Sequence, residues 1–145
     1  MSENIKIAVD AMGGENSPKK VIEGILENHK ENKDILYNIF GDLEKIESLL
    51  PRNYNKKIFN IVNTKNKILD TDSPLSAAKK GKDTSMWLSI QSVKNNESDV
   101  AISAGNTGAL FVISKLNLQM IKNIDKPALS ALWPNKNNFN IVLDL

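Results

Sequence analysis

The amino-acid sequence predicts an α/β fold in which a mostly parallel sheet is covered by helices on both faces. Short apolar runs rich in β-branched residues alternate with longer segments whose apolar residues recur at helical spacing. Two of the strand-like runs end in glycine-rich turns, at residues 11–14 and 103–108. The length of 145 residues suits one domain. Because strand–helix–strand units have right-handed connections, we expect a Rossmann-like three-layer α/β/α arrangement.

The first part of the chain predicts two strand–helix units followed by a third strand. Ser17 and Pro18 are typical of an N-cap and a first helical position, and Asp42 is typical of a second N-cap. Pro51 lies where it would end the second helix. The predicted elements are a strand at Ile5–Asp10, a helix after Pro18, a strand at 35–40, a short helix from 42 to 50 and a strand at 58–62.

The second part of the chain predicts three helices and three more strands. Ser73 and Pro74 are typical of a helix start, and another cap is expected at Asp83 or Thr84. The predicted helices cover residues 75–80, 84 to about 94, and 108 to near 121; the predicted strands cover 100–103, 127–132 and 141–145. Since a parallel strand is normally followed by a covering helix, the last strand predicts a fold that is truncated.

Composition excludes several classes of function. The chain has no cysteine, which excludes disulfides, thiolate catalysis and cysteine-ligated metals. Its formal net charge is +2 and Arg52 is its only arginine, so nothing indicates a nucleic-acid partner. No apolar stretch approaches the ~20 residues of a membrane span, and the N-terminus lacks the features of a signal peptide. We therefore expect a cytoplasmic protein.

The two glycine turns predict a site for a phosphate-bearing or anionic ligand. Ligands of open α/β sheets bind at the carboxyl ends of the strands, where the N–H groups of the following helices carry partial positive charge. Gly13 and Gly14 allow a ligand to approach the backbone, and Asn106 and Thr107 offer side-chain hydrogen bonds. Such glycines also simply make tight turns, and this interpretation stays open. Neither turn has the spacing of a nucleotide fingerprint, so a nucleotide is not required.

Five single residues allow both a functional and a structural interpretation. Asp10, at the end of the first strand, has three interpretations. It binds a metal, it orients a catalytic group, or it fixes the adjacent turn through backbone N–H groups. Lys82 is a candidate anion ligand, although it is one lysine among many. His29, the only histidine, lies on an apolar helical stripe, which favours packing or C-terminal capping over catalysis. Trp87 and Trp133 are expected in the core or in an interface.

A set of short motifs occurs in one order along essentially the whole chain. They are VDAMGG at residues 9–14 followed by Pro18, GD at 41–42, SP at 73–74, KDTSM at 82–86, SAGNTGAL at 103–110, KPA at 126–128 and VLD at 142–144. Together they resemble the N-terminal part of the bacterial acyl-ACP:phosphate acyltransferases, the PlsX family. Glu15, Thr84 and Lys126 depart from that pattern, which usually has aspartate, serine and arginine there.

The resemblance implies a reaction in which inorganic phosphate attacks the thioester carbonyl of a fatty acyl-acyl carrier protein. The product, an acyl phosphate, feeds phospholipid synthesis. Since phosphate is itself the nucleophile, the resemblance implies no metal and no cofactor. The implied catalytic residues are Asp10, Ser103 and Asn106. The implied phosphate or substrate ligands are Gly13, Gly14, Lys82, Ser85, Gly105, Thr107 and Gly108.

Family members are more than twice as long, so the resemblance implies that residues 1–145 are the N-terminal portion of a single α/β acyltransferase domain. Its partners are acyl carrier protein and inorganic phosphate, and no nucleic acid. A full-length chain is expected to form a homodimer and to contact the membrane peripherally through the C-terminal half. We expect the present chain alone to be inactive or poorly folded, because its sheet edge and apolar helices are uncovered.

Two other functions remain open. One is a non-catalytic anion-binding remnant, which a turnover assay distinguishes from an enzyme. The other, on fold analogy alone, is a phosphotransacetylase-like acyltransferase, which would accept acyl-CoA in place of the carrier thioester.

Overall fold

A four-stranded parallel sheet forms the centre of the molecule. The computed structural model describes residues 4–143. The strands are β1 (Ile5–Asp10), β2 (Ile35–Gly41), β3 (Phe59–Asn63) and β4 (Val100–Ser103), in the order β3-β2-β1-β4. All three neighbouring pairs are parallel. The predicted parallel sheet is therefore confirmed, with the ends of these four strands within one residue of prediction.

Helices cover both faces of this sheet. They are α1 (Lys19–Glu31), α2 (Leu43–Glu47), α3 (Pro74–Lys79), α4 (Ser85–Lys94) and α5 (Thr107–Asn117). One apolar cluster joins α1 to the strands through residues such as Ile22, Val9 and Ile39, and a second joins α3, α4 and α5. Because strand side chains alternate, Ala8 and Phe40 face away from the first cluster. The three-layer prediction is confirmed. No helix within residues 4–143 is long and apolar enough to cross a membrane.

The predicted caps at Asp42, Ser73 and Thr84 are confirmed, Ser17 does not cap its helix, and a further cap at Asn106 was not predicted. Side chains of Asp42, Ser73, Thr84 and Asn106 accept backbone N–H bonds at the first turns of α2, α3, α4 and α5. The prediction that Ser17 caps α1 is wrong. Pro18 is the residue before α1 and makes no side-chain cap bond, while the Ser17 hydroxyl donates to the Gly13 carbonyl. The Ser17 oxygen therefore fixes the glycine turn instead of the helix.

The C-terminal elements differ from prediction. Helix α5 ends at Asn117, and the backbone is already extended at Leu118. Strands β5 (Ser130–Pro134) and β6 (Phe139–Leu143) form a separate antiparallel hairpin and do not join the parallel sheet. Their turn is closed by Asn135, whose Oδ1 accepts the N–H groups of residues 137 and 138. Short apolar runs do not show whether a strand joins a parallel sheet or an antiparallel hairpin. The sequence signal for the hairpin is the tight turn at Asn135. Residues 144 and 145 of the predicted last strand lie outside the described residues.

The aromatic residues and the histidine are mostly structural. His29 lies edge-on against the stacked rings of Tyr37 and Phe59, with centroid distances of 6.3 and 5.0 Å. This confirms that it is a packed side chain. Trp87 is buried in the second cluster as expected, whereas Trp133 on the hairpin is 60% exposed.

The loop that leads from β3 to α3 is fixed by Asp72. Its carboxylate accepts the Leu69 N–H at 2.7 Å and pairs with the Lys80 ammonium at the end of α3. The bond from Lys80, followed by that from the Leu69 backbone, lowers the pKa of Asp72 below its ordinary value. The charged form of Asp72 therefore stabilises this loop.

We expect the stability of the chain to fall at acid pH in a manner that depends on Asp72. Its folded-state pKa lies below the unfolded value. The stabilisation is therefore complete above the unfolded pKa and is lost as the pH falls through the folded pKa. Urea unfolding midpoints across the acid range should fall less steeply for Asp72→Asn than for the wild type. Equal slopes for the two proteins would contradict this role.

Replacing Gly24 with alanine should stabilise the fold by about 0.5–1 kcal/mol, because glycine weakens a helix interior. A Cβ added at Gly24 meets no atom within 4 Å. The matched control is Gly81→Ala, where φ is +126° and the new Cβ lies 2.8 Å from an Asp83 carboxylate oxygen. That change should destabilise. Urea unfolding measures both variants, and a loss of stability in Gly24→Ala would contradict the prediction.

Candidate functional site

Both glycine turns lie at the carboxyl edge of the sheet and touch each other. Strands β1 and β4 are neighbours, and Asp10 is in register with Ser103, so the turns that follow them begin side by side. The predicted convergence of the two turns is confirmed. We call residues 10–17 and 103–108, which include the last residue of each strand and the start of α5, the paired glycine loops.

A buried carboxylate ties the paired glycine loops together. Asp10 is 1% exposed, and its Oδ2 accepts the Ser103 hydroxyl at 2.7 Å. Its Oδ1 accepts the Met12 N–H at 3.2 Å. The Ser103 Oγ in turn accepts the Gly105 N–H at 3.1 Å. The Asp10 side chain thus fixes its own turn, as one of the sequence interpretations holds, and through Ser103 it also orders the second turn.

Backbone packs directly against backbone where these loops meet. A Cβ added at Gly13 would lie 2.6 Å from Asp10 Oδ2 and 2.9 Å from the Gly105 nitrogen. At Gly14, φ is +83° and an added Cβ would lie 2.4 Å from the Ala104 carbonyl oxygen. These contacts exclude any side chain at Gly13 and Gly14. The two glycines therefore allow a tight turn and also let the backbone of the second loop pack against that of the first.

Three helices of eight or more residues begin at the same edge, because each follows a strand or loop that leaves it: α1, α4 and α5. The first N–H groups of a helix have no preceding carbonyl to bond and carry partial positive charge. In α5 these include the N–H groups of Thr107 and Gly108. The edge therefore presents oriented donors of the kind that bind phosphate oxygens.

Asn106 holds the start of α5 against the loop before α3. Its Oδ1 accepts the Ala109 N–H at 3.0 Å, and its Nδ2 donates to the carbonyls of Asp70 and Asp72 at 3.1 and 2.9 Å. An added Cβ at Gly108 would lie 2.8 Å from Pro74 Cγ, so glycine is required where α5 meets α3. The Asn106 amide thus holds α5 in place relative to the loop before α3, and both its oxygen and its nitrogen are hydrogen-bonded in doing so.

Of the other candidate residues, Ser85 begins α4 beside the loops, and Lys82 lies in the exposed segment that precedes α4. Ser85 is the first residue of α4, is 1% exposed, and its hydroxyl has no hydrogen-bond partner among the described residues. The next residue, Met86, lies beside Gly105, where an added Cβ would be 3.1 Å from its Cε. Lys82 is exposed, and within residues 4–143 no ion pair joins it to the paired glycine loops.

Sequence reasoning missed an apolar groove that begins at the paired glycine loops. It has a volume of about 620 Å³ and lies between α1 and the sheet, with Asp10, Gly13 and Ala104 at one end. Gly24 in α1 also lines it. The one local sequence signal for this groove is Gly24, a glycine inside an amphipathic helix. By itself this signal is weak, because a glycine can also occur in a helix that borders no groove.

Comparisons with known proteins identify the family. The family model described as "Fatty acid synthesis protein" matches residues 5–145. A phosphate acyltransferase of Pelagibacter ubique is 63% identical over the whole chain, which covers 43% of that protein. Phosphate acyltransferases of Bradyrhizobium diazoefficiens and Lactobacillus gasseri are 40% and 41% identical over 100% and 94% of the chain, in each case across 42% of the relative.

The chain therefore spans less than half the length of these curated relatives, and its match includes both paired glycine loops. The resemblance noted from the sequence motifs is confirmed. This chain belongs to the fatty acid synthesis protein family, whose members include the phosphate acyltransferases.

Proposed function

We propose that the paired glycine loops bind the phosphate that accepts an acyl group from a fatty acyl-acyl carrier protein. The observation that carries this proposal is the Asp10–Ser103–Gly105 hydrogen-bond chain, which orders two glycine turns among helix N-termini. Relatives whose match to this chain spans both loops are named phosphate acyltransferases. Backbone donors at a helix start suit a phosphate whose charge must be held without covalent attachment.

The proposed reaction needs binding and electrostatics more than side-chain chemistry. A phosphate oxygen forms a bond to the thioester carbonyl carbon, the C–S bond breaks, and the carrier leaves as a thiolate that takes up a proton. The products are an acyl phosphate and free carrier protein. The protein contributes by orienting phosphate and by stabilising the developing oxyanion with fixed N–H groups. The Thr107 and Gly108 N–H groups are the donors that we assign to the anion.

The side chains take different roles in this proposal. Asp10 and Asn106 are positioning residues, because their polar atoms already bond within the protein. Ser103 is a positioning residue by the same criterion, since its hydroxyl donates to Asp10 and accepts the Gly105 N–H, which orders the two turns around the anion. Ser85 and Lys82 are assigned as further phosphate ligands that complete the site from the start of α4. The homodimer and the peripheral membrane contact implied by the resemblance remain predictions.

Replacing Ser103 with alanine should lower kcat/KM for phosphate by about tenfold to a hundredfold, since it removes one fixed polar group from the site. The assay uses variants of a full-length version of the protein and traps acyl phosphate formed from palmitoyl-carrier protein and phosphate, and calorimetry follows phosphate binding separately. Ser130→Ala, on the exposed hairpin, is the matched control and should behave as wild type. Normal phosphate binding and turnover in Ser103→Ala would remove this residue from the site.

Replacing Asn106 with alanine should destabilise the chain by about 1–2 kcal/mol, because it removes a helix cap and two further hydrogen bonds. It should also weaken phosphate binding, since the start of α5 is no longer held. Asn106→Asp retains an oxygen for the cap and should recover part of the stability. Its negative charge should keep phosphate binding weak. Unfolding curves and phosphate titrations test both variants; an Asn106→Ala protein with normal stability, phosphate KM and turnover would refute the assigned role.

A further inference from the structure

The apolar groove along α1 is continuous with the candidate site. Its hydrocarbon lining comes from both the helix and the strands, and includes Ile7, Val9, Val21, Ile25 and Ile102. Ile102 is 51% exposed although it lies in β4, because its side chain faces this open space. A hydrocarbon chain whose polar head lies at the paired glycine loops can therefore enter the groove directly.

Gly24 keeps the groove wide at its middle. It lies inside α1, where glycine is an unfavourable residue for a helix. At Gly13, Gly14 and Gly108 a neighbouring atom lies too close to allow a Cβ. At Gly24, in contrast, a Cβ would meet nothing within 4 Å. The chain's own packing therefore does not require this glycine. Its effect is to leave unfilled space on the groove side of the helix.

The lining indicates which kind of molecule fits. A volume of about 620 Å³ lies within the range of about 300–1,000 Å³ that is typical of small-molecule sites. The strand side of the groove is mostly aliphatic, whereas α1 and the loop before it contribute polar residues, among them Glu15, Ser17, Lys20 and Asn28. A hydrocarbon chain packs against the aliphatic side and needs no hydrogen-bond partners there. The polar head of such a molecule lies at the end of the groove that Asp10 and Gly13 line.

We propose that this groove binds the saturated acyl chain of the thioester substrate, with the carbonyl at the paired glycine loops. This inference rests on the acyl transfer proposed above and specifies where its acyl group lies. A second copy of the chain, or a segment that longer relatives have beyond the matched region, are the other occupants that the experiment distinguishes.

The first measurement uses a version of this chain extended to the full length of its relatives, with octanoate, decanoate and dodecanoate at concentrations below micelle formation. Isoleucine methyl NMR should show saturable shifts at Ile7, Ile25 and Ile102, and none at Ile113 in the opposite core cluster. Burial of each extra methylene should tighten binding about fourfold. Shifts confined to the exposed hairpin, affinities independent of chain length, or a groove closed by self-association would each overturn the proposal.

The second measurement fills the groove. Gly24→Leu should weaken dodecanoate binding at least about tenfold, because its side chain occupies the space of several methylenes. Glu27→Leu adds the same side chain to α1 at a position that does not line the groove, and should bind as wild type. Unchanged binding in a folded Gly24→Leu protein would overturn the proposal. If that variant does not fold, the wild-type methyl map decides alone.

Turnover distinguishes failure of this inference from failure of the proposed function. If dodecanoate binds as expected but the full-length wild type forms no acyl phosphate, the groove is a hydrocarbon site and the proposed reaction fails. If the wild type is active, Gly24→Leu should lower kcat/KM for palmitoyl-carrier protein more than for hexanoyl-carrier protein. Equal losses for the two substrates would refute the groove as the acyl site while leaving the reaction intact.

Discussion

The carboxylate of Asp10 is the interaction on which this edge of the molecule depends. A buried carboxylate is costly unless it is hydrogen-bonded, and here both oxygens have donors, the Met12 N–H and the Ser103 hydroxyl. These donors come from segments more than ninety residues apart in the sequence. The parallel register of β1 and β4 brings them together. The Asp10 side chain thereby fixes the relative position of two turns whose glycines have no side chains to hold them together.

The consequences of this tie extend through the glycines. Gly13 fits between the Asp10 carboxylate and the Gly105 backbone only because it has no Cβ. The second turn is then continued by Asn106, whose amide connects α5 to the loop that Asp72 and Lys80 hold in place. A bond network thus runs from the end of β1 to the start of α3. The helix N-termini that could receive an anion are oriented by this network.

Local signals explain which parts of the structure were predictable. The strands β1 and β4 end in glycine turns, and four helices start at residues whose side chains cap them, so periodicity and turn chemistry located these elements. Ser17 was misassigned because a serine before proline is typical of a cap, whereas its hydroxyl bonds to the Gly13 carbonyl. The antiparallel hairpin was missed since strand direction depends on a turn at Asn135. The Asp10–Ser103 bond required knowledge of strand order, which no local pattern contains.

In the acyl transfer proposed above, phosphate is the nucleophile. The histidine packs edge-on against two stacked aromatic rings, and the sequence of this chain has no cysteine. If phosphate itself attacks, the protein must bring an anion and a hydrocarbon-bearing carbonyl to one point. Backbone N–H groups at helix starts suit the anion, and the groove along α1 suits the hydrocarbon. Asp10 and Gly13 belong to both, since they lie in the paired glycine loops and at the end of the groove. Their shared position is where the two reactants would meet.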